Sequence, residues 1–212
     1  QGIKVINAVA GQQHSVVITQ EGHVYSWGGG VFGLGHGEVK DLLFPKRIDY
    51  LLDQVVTHVA TGTYHTFCIT DIGKIYSFGH GEYGQQGTGD FGERGEQSRN
   101  ALFPREVCGA PWLNGKNEVR IQSVECGHLH TLFTISDGSI WSCGWGTSGV
   151  LGHGDAKYRL FPTQVTALDG ESILASSGGW KHSMAIKQGS TTFAMDFEKC
   201  NFFFLSEIEF EI

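Results

Sequence analysis

The chain has 212 residues, a formal net charge of −7, 31 glycines and only four prolines. The acidity argues against general binding to nucleic-acid phosphates, and no apolar run approaches the length of a membrane span. The five cysteines contain no Cys-x-x-Cys pair, which fits reduced intracellular thiols better than a disulfide framework.

In chain order, the first expected strand covers residues 5–10. Gly11-Gln12-Gln13-His14-Ser15 follows, leading into a β-branched run at 15–19. A Glu21-Gly22 turn, a second run at 24–27 and a short strand at 45–48 complete the unit. The unit then returns. Gly-x-x-His-Ser/Thr starts at Gly11, Gly62, Gly127 and Gly179, and its histidines His14, His65, His130 and His182 are 51, 65 and 52 residues apart. Eight residues after the first three histidines stand Gly22, Gly73 and Gly138, and fourteen after them Gly28, Gly79 and Gly144. Phe44-Pro45, Phe103-Pro104 and Phe161-Pro162 come next. Matching strands are expected at 66–70 with 75–78 and at 131–135 with 140–143, the latter joined by Asp137-Gly138, a strong hairpin signal. No segment sustains a helical apolar period. Short strands, glycine turns and a period near fifty residues point to propeller blades or a β solenoid.

These motifs resemble the regulator of chromosome condensation repeat family over residues 1–189, most fully in "GQQHSVVITQEGHVYSWGGGVFGLGHG" and "GHLHTLFTISDGSIWSCGWGTSGVLGHG". The resemblance implies an all-β fold, a seven-bladed propeller with about four strands per blade. At this repeat length the chain holds three full repeats and the start of a fourth, an open, partial propeller. The resemblance also implies a non-catalytic protein-interaction module in the nucleus or cytoplasm. The family's named member is a guanine nucleotide exchange factor for a small GTPase. Its key residues lie outside the repeat motif, so none is placed on this chain. A purely structural module inside a larger multidomain protein is a further alternative.

Two departures from the repeat stand out. The second repeat is 13 residues longer than the third, with seven of them between Gly89 and Pro104. Asp90, Glu93, Arg94, Glu96 and Arg99 make this insert polar and mixed in charge, a candidate partner-binding loop. Residues 190–212 contain no glycine but six of the fourteen phenylalanines, and are expected to be a tail foreign to the repeats. Its alternating end would turn Ile208, Phe210 and Ile212 inward. The open edges of a partial propeller are expected to promote self-association.

Several patterns invite chemistry. Gly-x-Gly-x-x-Gly occurs at Gly28/Gly30/Gly33, Gly79/Gly81/Gly84 and Gly144/Gly146/Gly149. Each follows a strand, but none opens the helix that would bind a pyrophosphate, so turns are expected and no cofactor. The four repeat histidines sit at one position of successive blades, too spread for a metal, and are expected to bond locally within each blade. Cys68, Cys126 and Cys143 are expected to be small core residues. Gly179-Trp180-Lys181-His182-Ser183 resembles a pentad of UV-B-sensing members of the family, in which clustered tryptophans absorb light. Trp141, Trp145 and Trp180 are the candidates for that alternative, with lysine where those members carry arginine.

Overall fold

The computed structural model describes residues 2–89, 100–110, 112 and 119–189, together with the backbone of 192–195 and 202–205. Among the described residues sixteen strands form four antiparallel sheets, each of four strands in sequence order. The first blade is β1 (Val5–Ala10), β2 (His14–Thr19), β3 (Val24–Gly28) and β4 (Leu42–Arg47). The second is β5 (Val56–Thr61), β6 (His65–Thr70), β7 (Ile75–His80) and β8 (Asn100–Glu106). The third is β9 (Ile121–Cys126), β10 (His130–Ile135), β11 (Ile140–Gly144) and β12 (Arg159–Gln164). The fourth is β13 (Ile173–Gly178), β14 (Ser183–Lys187), β15 (Thr192–Met195) and β16 (Phe202–Leu205). Among the described residues helical structure is confined to short 3₁₀ turns, as at Asp49–Leu51, Thr147–Gly149 and Thr166–Leu168. The chain is therefore all-β, a partial propeller of four-stranded blades.

The spacings in the sequence become pairing rules in the sheets. The glycine eight residues after each of the first three histidines closes the tight turn into the next strand, as in Gly138 N–H to Ile135 O at 2.9 Å. The glycine fourteen residues after it lies directly across the hairpin, so His14 faces Gly28, His65 faces Gly79 and His130 faces Gly144. Gly144 has φ +110, and a β-carbon there would lie 2.5 Å from Leu129 O. Both the dihedral and the space exclude a side chain.

The register of the repeat continues past Gly189. Ser15 pairs with Trp27, Thr66 with Phe78, Thr131 with Cys143 and Ser183 with Met195. Strands from the phenylalanine-rich segment thus supply the outer half of the fourth sheet. Ile208, Phe210 and Ile212 lie outside the described residues.

Apolar cores form between blades. Val16, Ile18 and Val24 of the first blade meet Val56, Val59 and Phe78 of the second. Phe67 and Ile69 of the second meet Val124, Phe133 and Ile135 of the third. Ile140 and Val165 of the third meet Ile173 and Ala185 of the fourth. A loop adds a latch at two of these seams: Gly37 N–H donates to Leu102 O and Gly89 N–H to Leu160 O, each reaching from one blade to the outer strand of the next. Phe103 and Phe161 lie under these loops and are 49% and 43% exposed, whereas Phe44, at the same place in the first blade, is 79% exposed. Ile3, Val5, Ile6 and Leu43 are exposed on the same first blade.

Two outcomes follow from this packing. Gly144→Val should lower stability by roughly 2–4 kcal/mol, the range for a strained backbone plus a clash. Gly170→Ala, where φ is +83 but the space is open, should cost about 1 kcal/mol; thermal melts of the two variants check this ordering. The uncovered apolar face of the first blade should also make the isolated chain associate. Light scattering at several concentrations reads this, and Leu43→Ser with Phe44→Ser should reduce the apparent mass.

Candidate functional site: the loop end of the blades

The first-to-second strand turns of the four blades, and the third-to-fourth connections of the first and third, emerge at one end of the propeller. The turns there have a repeated construction. In each, the glycine N–H donates to the histidine carbonyl three residues later, at 2.8 Å for Gly11 to His14 and 2.9 Å for Gly62 to His65, Gly127 to His130 and Gly179 to His182. The imidazole folds back over its own glycine: a β-carbon on Gly62 would lie 2.3 Å from His65 Cε1. This explains the Gly-x-x-His spacing.

The histidines bond in a way that sequence reasoning did not foresee. They reach the next blade rather than their own. His14 Nε2 lies 2.9 Å from Thr66 Oγ1, His65 Nε2 3.1 Å from Thr131 Oγ1, and His130 Nε2 2.8 Å from Ser183 Oγ. Direction follows from hydrogen counting. The Thr131 hydroxyl donates its one hydrogen to Gln85 O at 2.8 Å, and Ser183 donates to Val150 O at 2.8 Å. Both hydroxyls must therefore accept from an imidazole Nε2–H. Nδ1 of His65 and of His130 is buried without a hydrogen-bond partner. Burial and neighbouring imidazoles push His65 down to about 3 and His130 to about 4, so both are neutral. His182, in the same slot of the fourth blade, is exposed.

A second histidine position escaped the sequence reading. Ser26 donates to Leu34 O at 2.6 Å and accepts from His36 Nε2 at 2.9 Å. Ser142 repeats this with Leu151 O at 2.7 Å and His153 Nε2 at 2.9 Å. The available signal was Leu-Gly-His-Gly, at residues 34–37 and again at 151–154. These bonds pin the long loop after the third strand. The glycine triplets sit at its start, where Gly33 N–H to Gly30 O, Gly84 to Gly81 and Gly149 to Gly146 close tight turns. No long helix opens there, so the dinucleotide reading has no structural counterpart among the described residues.

Around these turns lies an axial pocket of about 570 Å³, lined by equivalent residues of the four blades, including Gln12, Thr63, His128 and Trp180. Thr63 Oγ1 and His128 Nδ1 are 2.7 Å apart, and the His128 and Trp180 rings meet edge-on at 5.9 Å. Outward from the pocket runs an aromatic belt. Phe32 packs on Tyr64 and on His80, both at 4.6 Å; His80 meets Tyr83 at 5.9 Å, and Tyr83 meets Tyr158 at 5.5 Å. Trp180 is 65% exposed.

The candidate tryptophans divide. Lys181 Nζ stands 6.0 Å from the Trp145 ring and 5.2 Å from that of Trp180, so these two share one cation. Trp141 lies at the opposite end of β11, bonded to Ser139 and packed edge-on against Trp112 at 6.3 Å. Cys68 and Cys143 are buried, and burial pushes the Cys68 thiol up to about 12. Cys126 is half-buried and its thiol is likewise pushed up. Asp90, Glu93, Arg94, Glu96 and Arg99 lie outside the described residues, between Gly89 and the start of β8 at Asn100.

Comparison with known proteins matches this architecture. The model of the regulator of chromosome condensation (RCC1) repeat matches residues 21–69, 73–134 and 137–186. The chain belongs to the RCC1 repeat family. It is 33% identical over 199 residues to the ultraviolet-B receptor UVR8 of Arabidopsis thaliana, covering 93% of this chain and 42% of the receptor. It is 32% identical over 185 residues to human E3 ubiquitin-protein ligase HERC2, covering 86% of this chain and 4% of that protein. The chain thus spans less than half the length of these relatives. Among solved structures, Prp20p of Saccharomyces cerevisiae, studied for its binding to Gsp1p and histones, superposes with a TM-score of 0.77 at 19% identity. That match covers 98% of this chain and 52% of Prp20p, and it shows the fold alone.

The neutral histidines of this RCC1-repeat chain set an acid limit. Their folded pKa values lie below the ordinary 6.5, so between pH 6.5 and about 3–4 the unfolded chain binds protons that the folded chain rejects. Stability is full above pH 6.5 and is lost as pH falls, by up to about 1.4 kcal/mol per pH unit for each such group. Denaturant unfolding at pH 7.5, 6 and 5 should show this decline; a profile flat across that range would mean the imidazoles are not held neutral.

Proposed function

We propose that this chain is a protein-binding propeller module that meets its partner with the loop end of its blades. The carrying observation is a continuous aromatic surface there, in which exposed Trp180 and His128 line the axial pocket and Tyr64, Phe32, His80, Tyr83 and Tyr158 extend outward from them. Rigid amphipathic rings supply contact area at low entropic cost and dominate protein interfaces. Asn100, the residue that follows the insert at 90–99 in sequence, pairs with His80 and so begins β8 at this same end. We assign the insert, through Asp90, Glu93, Arg94, Glu96 and Arg99, as the segment that selects the partner.

The finer reading is a small GTPase as partner, with acceleration of guanine nucleotide exchange, inside the nucleus or cytoplasm. The family resemblance and the binding of Prp20p to Gsp1p support it. Exchange of this kind needs no catalytic side chain: tight contact with the nucleotide-free form suffices, since a ligand shifts an equilibrium by its differential affinity. No helix among the described residues is long and apolar enough to cross a membrane.

Light sensing is a second reading, favoured by the sharing of Lys181 between Trp145 and Trp180. With Trp141 at the other end of its strand, the indole cluster is small. Ultraviolet illumination during size-exclusion chromatography should leave the elution volume unchanged.

The test of the main reading uses Gsp1p loaded with a fluorescent GDP. The chain should retain Gsp1p on a column and speed GDP release, and deletion of residues 90–99 or Trp180→Ala should weaken both at unchanged melting temperature. Retention without faster release would remove the exchange activity. Undiminished retention by both variants would move the interface away from the loop end.

A further inference from the structure

At the loop end of the second blade, His80 occupies a slot filled by Gly29 in the first blade and Trp145 in the third. It is 8% exposed, enclosed by the rings of Phe32, Tyr64 and Tyr83. Its partners leave no freedom in the placing of its hydrogen. The Tyr83 backbone N–H, which can only donate, gives a 2.9 Å bond to Gln85 Oε1. Gln85 is fully buried, so its amide is thereby oriented and its Nε2 faces His80 Nδ1 at 2.8 Å. Nδ1 must accept, and the single ring hydrogen of neutral His80 sits on Nε2, 3.5 Å from Glu82 Oε2.

We propose that His80, Gln85 and Tyr83 form a proton-operated switch that reshapes the loop end of the second blade. One proton added at Nδ1 gives the imidazolium a second N–H, which then points at the Gln85 NH₂. Two donors cannot face each other, so the amide turns over and presents Oε1 to Nδ1–H. The NH₂ then faces the Tyr83 backbone N–H, which loses its acceptor in a part-buried place. Gly81 and Gly84 bracket Glu82 and Tyr83, and the Gly84 N–H to Gly81 O bond closes that short loop at 3.1 Å. The loop re-forms about these glycines, and Tyr83 leaves Tyr158 of the third blade.

The surroundings set the direction of the switch. Burial holds the His80 pKa below the ordinary imidazole value and nearby His128 opposes the charge, while the Glu82 carboxylate favours it. The other titratable groups facing the ring are the Tyr64 and Tyr83 phenols, with neutral His65 deeper in the blade; Phe32 contributes no charge. The switch therefore rests in its neutral form at pH 7.5 and turns below pH 6.5. The backbone beneath stays fixed, because Gln85 O holds the Thr131 hydroxyl of the third blade at 2.8 Å.

Nuclear magnetic resonance of the chain labelled with ¹⁵N only at histidine and tyrosine tests this directly, and sparse labelling keeps the spectrum readable in an oligomer. At pH 7.5, His80 Nδ1 should show the shift of an unprotonated acceptor. As pH falls, the Tyr83 amide should move with the same midpoint as His80 Nδ1. Glu82→Gln, at a half-exposed position, should lower both midpoints together by roughly half a pH unit or more. A Tyr83 amide that stays still while His80 titrates, or that follows the midpoint of His128 instead, overturns the proposal. So does a Glu82→Gln variant in which the two midpoints separate.

Discussion

A blade of this repeat has two apolar faces and can bury neither alone. Each described core therefore lies between blades rather than within one, and the fold depends on the seam where one sheet lies on the next. Area burial gives that seam its strength, but apolar contact has no direction. Direction comes from polar groups whose donors and acceptors must match. At the buried heart of the second seam Thr131 supplies it, since this residue accepts from His65 and donates to Gln85 O. At the third seam Ser183 does the same with His130 and Val150 O. A sheet rotated or shifted at either place would strand a buried imidazole and a buried hydroxyl, each costing roughly 1–3 kcal/mol.

Much of the fold was legible in the sequence because the repeat encodes local geometry. The fourteen-residue step from His130 to Gly144 is the length of one hairpin, and the structure pairs those two residues. The partners of the histidines were not legible. His14 and Thr66 are 52 residues apart, His65 and Thr131 66 apart, and these separations follow blade length rather than any local pattern. A bond within the blade was the natural expectation, since a histidine beside a tight turn has backbone groups close by. The register of β15 was hidden for a different reason. The residues after Gly189 carry none of the repeat's glycines, yet Met195 pairs with Ser183 where Trp27 pairs with Ser15.

The aromatic face at the loop end was the least visible feature. Its members come singly from separate turns: Phe32 after β3, Tyr64 before β6, Tyr83 after β7, Tyr158 before β12 and Trp180 before β14. Each is unremarkable in sequence, and only the stacking of blades brings them together. The histidine turns hold that surface in place. The same turns that hook one blade to the next also carry Thr63, His128 and Trp180 into the axial pocket. A partner bound there would feel any loosening of a seam.

The central claim is that the histidine–hydroxyl bond couples neighbouring blades, and a double-mutant cycle on His65 and Thr131 measures that coupling. His65→Asn, Thr131→Val and the pair would be unfolded in denaturant beside the parent chain. The account predicts an interaction energy of about 1–2 kcal/mol, with the double variant losing less than the two single losses combined. Losses that simply add, with no interaction energy beyond error, would show that the seam is held by apolar burial alone and would contradict it.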